Sequence, residues 1–159
     1  MPDHLAVTGP RTAPASAARP EGAPPSTTFE YLLPRSRDRY WGQIDARGLH
    51  FTSPKKATTA ARDALSAILQ WLGVWRPSFG VVHPGGPRII KEVAQGLGLR
   101  DEDVAHSVAS LSENGNLGGN AVFDILRRFQ STPPEAGSGG IVVAFGPGFV
   151  VAGARGTWV

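Results

Sequence analysis

The chain has 159 residues, no cysteine and a formal net charge of +3. This length fits one domain with a core of ordinary size, and the lack of cysteine excludes disulfides, thiolate metal sites and a thiol nucleophile from this sequence. The longest apolar run, 141–145, is far below the roughly 20 residues that span a bilayer, so no membrane partner is expected. The first residues lack the apolar core of a secretory signal, which predicts a cytoplasmic protein.

Basic residues are concentrated between Arg35 and Arg62, where seven Lys or Arg stand against two Asp. A local excess of this kind attracts phosphate groups. The aromatic residues are not interleaved with the basic ones as a base-stacking surface requires. Interspersed charges are also the normal composition of a solvated face. We therefore expect no nucleic-acid partner.

The first 28 residues are rich in Pro, Ala, Ser and Thr and show no apolar period. Such a segment cannot bury enough apolar surface to offset the entropy of ordering it. The composition predicts a disordered leader over 1–28 and a folded domain over 29–159.

The first half of the domain shows two short strands, a helix and a third strand. Residues 29–33 form a strand that Pro34 stops, and 47–51 form a second extended segment. A helix with apolar residues at helical spacing starts at Ser53-Pro54 and ends near Gly73. The apolar run 79–82 lies between prolines, which predicts a buried strand.

The second half continues with helices and ends in a hairpin. Pro87 opens a helix that Gly98 ends, and Asp101 caps a short turn. An extended stretch is predicted around 108–111. A loop over 114–120 then leads into a helix with an apolar side, and 137–140 are in a surface loop. The last segments, 141–145 and 149–154, are two strands joined by a tight turn. This order indicates an α/β layered domain.

Two polar residues are candidates for chemistry. His83, in the run His83-Pro84-Gly85-Gly86-Pro87, follows a predicted strand directly before a helix, where open α/β sheets place functional groups. The glycines let a ligand approach closely, and the helix start offers unpaired N–H groups. Asn116 lies in a loop entering a helix, where asparagine is more often a turn or capping residue. A single histidine is likewise more often structural, so neither residue is decisive alone.

The joint pattern is more specific than its parts. The His83 run followed by an amphipathic helix, then Gly115-Asn116 opening the helix with Val122-Phe123-Asp124-Ile125-Leu126, then Phe145-Gly146-Pro147-Gly148, resembles the C-terminal half of type III polyketide synthases, the chalcone/stilbene synthase family. The segments Leu33-Pro34 and 48–51 are also similar to this family, especially its bacterial members that make small aromatic products. The resemblance covers about residues 29 to 159.

The resemblance implies a fold and a set of roles. The fold is the C-terminal half of a thiolase-like αβαβα arrangement, an α/β domain with a mixed sheet and packed helices. His83 and Asn116 would be catalytic. Phe51 would gate the passage between the CoA tunnel and the reaction cavity, unless it is a core aromatic. The remaining substrate-binding positions are Gly85, Gly86, Gly146, Pro147 and Gly148, although the last three also suit a plain hairpin connector.

The family's chemistry explains these residue types. A cysteine thiolate takes an acyl group from CoA. Histidine and asparagine then donate hydrogen bonds to the thioester oxygen of malonyl-CoA and stabilise the enolate left by loss of carbon dioxide. The resemblance thus implies an acyltransferase for decarboxylative condensation, with acyl-CoA and malonyl-CoA as substrates and no cofactor or metal. Because this sequence lacks cysteine, we expect no activity from the isolated chain.

Three functions are compatible with these observations. The chain supplies one half of a synthase, completed by a cysteine-bearing N-terminal half or within a homo-oligomer. Alternatively, it is an inactive truncated relic that acts as a binding or interaction module. The third function is that of a basic domain, which binds CoA phosphates through Arg35, Arg37 or Lys55. Half a fold leaves apolar faces uncovered, and we expect such a face on the helix with Ala57, Ala61, Leu65 and Ile68 or on the helix after Gly119.

Overall fold

A computed structural model describes residues 27–37, 41–52 and 56–159 of the chain. In seven of these residues only the backbone is described: Trp41, Leu49, Phe51, Thr52, Lys56, Ala57 and Thr58. Nearly all of the predicted leader and the helix start predicted at Ser53-Pro54 lie outside the described residues. Within them, no helix combines the length and apolarity needed to cross a membrane.

The elements alternate largely as predicted. The strands are β1 (Thr28–Leu32), β2 (Trp41–Asp45), β3 (Gly48–Thr52), β4 (Phe79–Val82), β5 (Gly139–Gly146) and β6 (Val150–Thr157). The helices are α1 (Lys56–Leu72), α2 (Pro87–Leu97), α3 (Ala105–Asn114) and α4 (Asn120–Ser131), and a 3-10 helix, Asp101–Val104, precedes α3.

The main sheet is mixed and has the order β1-β6-β5-β4. β5 and β6 form an antiparallel hairpin, and β1 pairs antiparallel with β6. β4 runs parallel to β5, with Val82 opposite Val143. β2 and β3 form a separate two-stranded sheet. This arrangement confirms the predicted α/β domain with a mixed sheet and packed helices.

The first face of the sheet packs against α1 and α2. Alternate strand residues on this face, Val82, Ile141, Val143 and Val151, are buried in one cluster with Ala61, Leu65 and Ile68 of α1. Burying an aliphatic side chain of this size stabilises the fold by roughly 1.5–3 kcal/mol. The α1 face at these residues is therefore covered by the chain itself, and the prediction of an uncovered face on this helix is wrong.

Helices α1 and α2 approach each other closely on this face. A Cβ atom added at Gly96 of α2 would lie 2.5 Å from Leu65 Cδ1. Real Cβ atoms do not approach other carbons so closely, so this spacing depends on glycine at position 96.

The second face of the sheet packs against α4. Phe79 and Val81 of β4 contact Ile125 and Phe129, and the rings of Phe79 and Phe129 are 4.9 Å apart between centroids. Because Phe79 begins β4 and Phe129 lies near the end of α4, the helix runs antiparallel to the strand.

Apolar surface is left open on this side of the molecule. Phe123, on the outer side of α4, is 71% exposed, and Leu32 of β1 is also exposed. The exposure of Phe123 agrees with the uncovered face predicted on the helix after Gly119.

Three parts of the fold differ from the predictions. Residues 139–140, predicted in a surface loop, are the first two residues of β5. The stretch 108–111, predicted as extended, lies in the helix α3. Val104, Val108 and Leu111 do recur at helical spacing, but this helix buries Ser107 and Ser110, and polar residues on the inner side obscure the pattern. The strand β2 was not predicted. It pairs with β3 across a turn in which the Arg47 N–H donates to Asp45 Oδ1 at 2.7 Å.

Candidate functional site at the carboxyl edge of the sheet

His83 directly follows β4 at the carboxyl end of the strand. Its backbone N–H donates to the Val143 carbonyl at 2.8 Å, which extends the pairing with β5 by one residue. The residue is only 6% exposed, and burial lowers the pKa of its imidazole from 6.5. The ring is therefore neutral at pH 7 and carries a single N–H donor.

Two glycines connect His83 to the start of α2. The Gly85 N–H donates to the His83 carbonyl at 2.9 Å, and the Gly86 carbonyl accepts from the Ile89 N–H at 3.0 Å in the first helical turn. A Cβ atom at Gly85 would lie 3.2 Å from Ile89 Cδ1 and 3.7 Å from His83 Cδ2. A side chain at position 85 would thus crowd Ile89 of the helix that follows and would lie in van der Waals contact with the imidazole.

Asn116 lies in the loop between α3 and α4, and it is exposed. Its Oδ1 accepts the Gly118 N–H at 2.9 Å, and Gly118 has a φ of +60°, which favours glycine. Only the carbonyl oxygen of a carboxamide accepts from an N–H group, so this bond fixes which way the amide is turned. The Nδ2 group is left to donate to another partner.

Two observations bring the loop that carries Asn116 and the start of α2 toward the same end of β4. Because α4 runs antiparallel to β4, the start of α4 and the loop before it lie toward the carboxyl end of β4. Independently, Pro87 at the start of α2 lines the same cavity as Ser112 and Glu113 in the last turn of α3. We use the term carboxyl edge for the group formed by His83, 85–87, 115–119 and 146–148.

The turn Gly146-Pro147-Gly148 belongs to this edge as well, because β5 runs parallel to β4 and ends at Gly146. Ser36 Oγ donates to the Gly148 carbonyl at 2.7 Å, and the Leu33 N–H donates to the Phe149 carbonyl at 3.2 Å. The segment after β1 therefore anchors the turn. Sequence reasoning did not identify Ser36, since no local pattern links it to a residue so far along the chain.

Phe51 is a predicted site residue of which only the backbone is described. Its backbone pairs with Gly42 in the β2–β3 hairpin, outside the main sheet. Its side chain is not among those described, so the gating role stays a prediction. Lys55 is outside the described residues too, whereas Arg35 and Arg37 are exposed after β1.

Comparisons of this chain with known proteins all identify the same family. The model for the C-terminal domain of chalcone and stilbene synthases matches residues 26–155. Phloroglucinol synthase of Pseudomonas fluorescens is 32% identical over 138 residues, which are 82% of this chain and 39% of that protein. The 1,3,6,8-tetrahydroxynaphthalene synthase of Streptomyces coelicolor is 32% identical over 134 residues, 80% of this chain and 36% of that protein.

Solved structures have the same fold. Germicidin synthase of Streptomyces coelicolor, a type III polyketide synthase, has a TM-score of 0.74 at 28% identity, covering 84% of this chain and 37% of that one. The tetrahydroxynaphthalene synthase structure has a TM-score of 0.74 at 30% identity, with 82% and 39% covered. The chain thus spans about two fifths of the length of these relatives, and the predicted thiolase-like fold is confirmed. This chain belongs to the chalcone and stilbene synthase family, and residues 26–155 are its C-terminal domain.

Proposed function

We propose that this chain contributes the electrostatic half of a type III polyketide synthase active site, in which His83 and Asn116 stabilise the enolate of a malonyl thioester. The observation that supports the proposal is a buried imidazole whose pKa is lowered by burial, together with an asparagine whose Oδ1 is occupied by the Gly118 N–H, which leaves its Nδ2 group to donate. Both present N–H donors, and fixed donors are what a developing oxyanion requires.

The reaction would proceed with a cysteine from a complementary half. The thiolate attacks the carbonyl of an acyl-CoA, and the CoA thiol leaves. The thioester oxygen of malonyl-CoA then accepts hydrogen bonds from His83 and Asn116. The bond to the carboxylate breaks, carbon dioxide leaves, and the electron pair is held as an enolate. Its carbon attacks the acyl-cysteine thioester, a carbon–carbon bond forms, and the cysteine thiolate is released.

The protonation state of His83 would change with its partner. Burial in this chain favours the neutral form. A thiolate placed beside the ring would favour the imidazolium and raise the pKa again. The same residue would thus stabilise the thiolate before acyl transfer and donate to the thioester oxygen afterwards.

The complementary half has a place to dock. No cysteine occurs among the 159 residues, so an oligomer of this chain alone does not supply the nucleophile. The outer side of α4 exposes Phe123, and β1 exposes Leu32 on the same side of the sheet. We infer that a cysteine-bearing half covers this side and brings its thiol to the carboxyl edge.

Reconstitution tests the proposal. The full chain is mixed with the cysteine-bearing N-terminal half of the Streptomyces coelicolor tetrahydroxynaphthalene synthase, and in parallel with that of the Pseudomonas phloroglucinol synthase. Complex formation is followed by sedimentation, and labelled carbon dioxide is measured from carboxyl-labelled malonyl-CoA. We expect turnover only in the mixture.

Variants identify the groups responsible. His83→Ala should lower carbon dioxide release by about 10²- to 10³-fold, the usual effect of removing one oxyanion donor. His83→Gln, which keeps a donor, should retain more activity than His83→Ala. Replacing the partner's cysteine with alanine should abolish product while decarboxylation persists.

Two results would contradict the proposal. One is the absence of a complex with either N-terminal half. The other is a complex whose turnover is absent or is left unchanged by His83→Ala. A complex without any turnover would favour the alternative of an inactive interaction module.

A further inference from the structure

An ionic cluster joins the two helices on either side of Asn116. Arg128 of α4 donates from Nε to Asp124 Oδ2 at 2.8 Å. Its two terminal nitrogens donate to Glu113 of α3 at 2.6 and 3.2 Å. Asn114 Nδ2 also donates to Asp124 Oδ2 at 3.4 Å. We call Glu113, Asn114, Asp124 and Arg128 the helix clamp.

The clamp is not an ordinary set of surface ion pairs. The side chains of Asp124 and Arg128 are only 13% and 17% exposed, and the contact to Glu113 uses both guanidinium arms, a geometry that fixes direction as well as distance. Hydrogen bonding from Arg128 lowers the pKa of Asp124 to about 2. The hydrogen bonds that Arg128 donates to Glu113 and then to Asp124 raise its own pKa, so both groups stay charged at neutral pH.

The clamp joins the end of the helix before the Asn116 turn to the body of the helix after it. Glu113 and Asn114 are the last residues of α3, Asp124 lies in the second turn of α4, and Arg128 lies in its last turn. Within the turn, the Asn116 side chain is held by the short link from the Gly118 N–H to its Oδ1. The separation and angle of the two helices therefore determine where the Asn116 amide points.

We propose that Asp124 and Arg128 are positioning residues, which hold the α3–α4 turn so that the Asn116 Nδ2 group faces the carboxyl edge. The inference deepens the proposed function, because it assigns the residues that orient one of its two donors. Arg128 acts as the bridge between helices, and Asp124 orients Arg128 while holding Asn114.

The first experiment does not depend on catalysis. Backbone order parameters of residues 115–119 are measured by ¹⁵N relaxation in the full chain and in Asp124→Ala. We expect a fall from about 0.85 to below about 0.6, the change from rigid to flexible backbone. Asp124→Asn, which still offers an oxygen to Arg128, should stay near the wild-type values.

Asp103→Ala is the matched control. Asp103 has a side chain that is 11% exposed and pairs with Arg100 three residues away, but it lies before α3 and does not touch the turn. Its loss removes a comparable ion pair and should leave the order parameters of 115–119 unchanged. Unchanged order in Asp124→Ala, or an equal fall in Asp103→Ala, would overturn the proposal. If Asp124→Ala does not fold, Arg128→Lys, which loses the two-armed contact, replaces it.

The second experiment measures the consequence in the reconstituted synthase. Asp124→Ala should lower kcat for carbon dioxide release by about 10²-fold, the scale of a misplaced catalytic group, with little change in KM for malonyl-CoA. Asp124→Asn should restore most of kcat, and Asp103→Ala should match wild type. A rise in KM without loss of kcat would contradict positioning. If the wild-type mixture shows no turnover, the proposed function fails, and the order parameters still decide the role of the clamp.

Discussion

The two faces of the main sheet are built in different ways. The first face is closed by α1 and α2, whose buried side chains are almost all aliphatic and whose spacing depends on Gly96. The second face carries α4 over a small cluster around Phe79 and Phe129, with an ionic clamp at its side and Phe123 exposed outside. The first face contributes the larger part of the core, whereas the second leaves apolar surface exposed.

Matched cavity mutants measure the difference between the faces most directly. Ile68 on the first face and Ile125 on the second are both fully buried. We expect Ile68→Ala to lower the free energy of unfolding by about 4 kcal/mol and Ile125→Ala by about 2 kcal/mol, because the less enclosed second face relaxes into the cavity more easily. Urea unfolding of the full chain measures both. Equal losses of unfolding free energy in the two variants would show that the second face is as tightly enclosed as the first.

The close helix contact on the first face gives the next largest effect. Gly96→Ala should cost about 1–3 kcal/mol through overlap with Leu65, although alanine favours a helix by about 1 kcal/mol over glycine. Gly119→Ala, where an added Cβ meets no atom within 4 Å, should change stability by no more than about 0.5 kcal/mol. Thermal unfolding distinguishes the two, and a neutral Gly96→Ala would show that Leu65 moves aside freely.

Stability should also depend on pH through His83. Its folded pKa lies below 6.5, so the unfolded chain binds more protons once the pH falls below that value, and folding stability decreases. The stability is complete above 6.5 and is lost as the pH falls toward the folded pKa. Urea titrations between about pH 7.5 and 5.5 should show a flatter dependence in His83→Gln than in wild type. A wild-type slope in His83→Gln would contradict the burial argument.

The smallest effect on stability is expected at the exposed part of the second face. Phe123→Ser should change the free energy of unfolding by no more than about 0.5 kcal/mol, yet weaken binding to a cysteine-bearing half, measured by sedimentation or calorimetry. Val74→Ser, at a position 98% exposed after α1, should affect neither quantity. Unchanged binding in Phe123→Ser would place the interface elsewhere.

Local signals predicted the elements whose ends depend on nearby residues. The helix α2 runs from Pro87 to Leu97 and ends at Gly98, whose φ of +72° is the left-handed cap expected of glycine. The buried strand β4 and the final hairpin were likewise predicted from prolines, glycines and apolar runs. By contrast, α3 was missed because its inner side carries Ser107, which is used by β4 rather than by its own helix.

The residues of the candidate site also fall into two groups, those that a local motif predicts and those that it does not. His83 and Asn116 were identified because each lies in a short motif, and the motifs occur in a recognisable order. Ser36 and Arg128 were not, because their roles depend on partners 112 and 15 residues away in the chain. No periodic pattern records such contacts, and only the folded arrangement of the helices reveals them.

The hydroxyl of Ser107 has one more consequence. It accepts the N–H of Val82 at 3.0 Å, on the terminal strand of the sheet order, and so occupies a backbone donor that would otherwise be available to a foreign strand. Ordered growth of the sheet past β4 into fibrils or swapped dimers is thereby discouraged. A single side chain of α3 thus covers part of the terminal strand and limits its pairing with strands of other molecules.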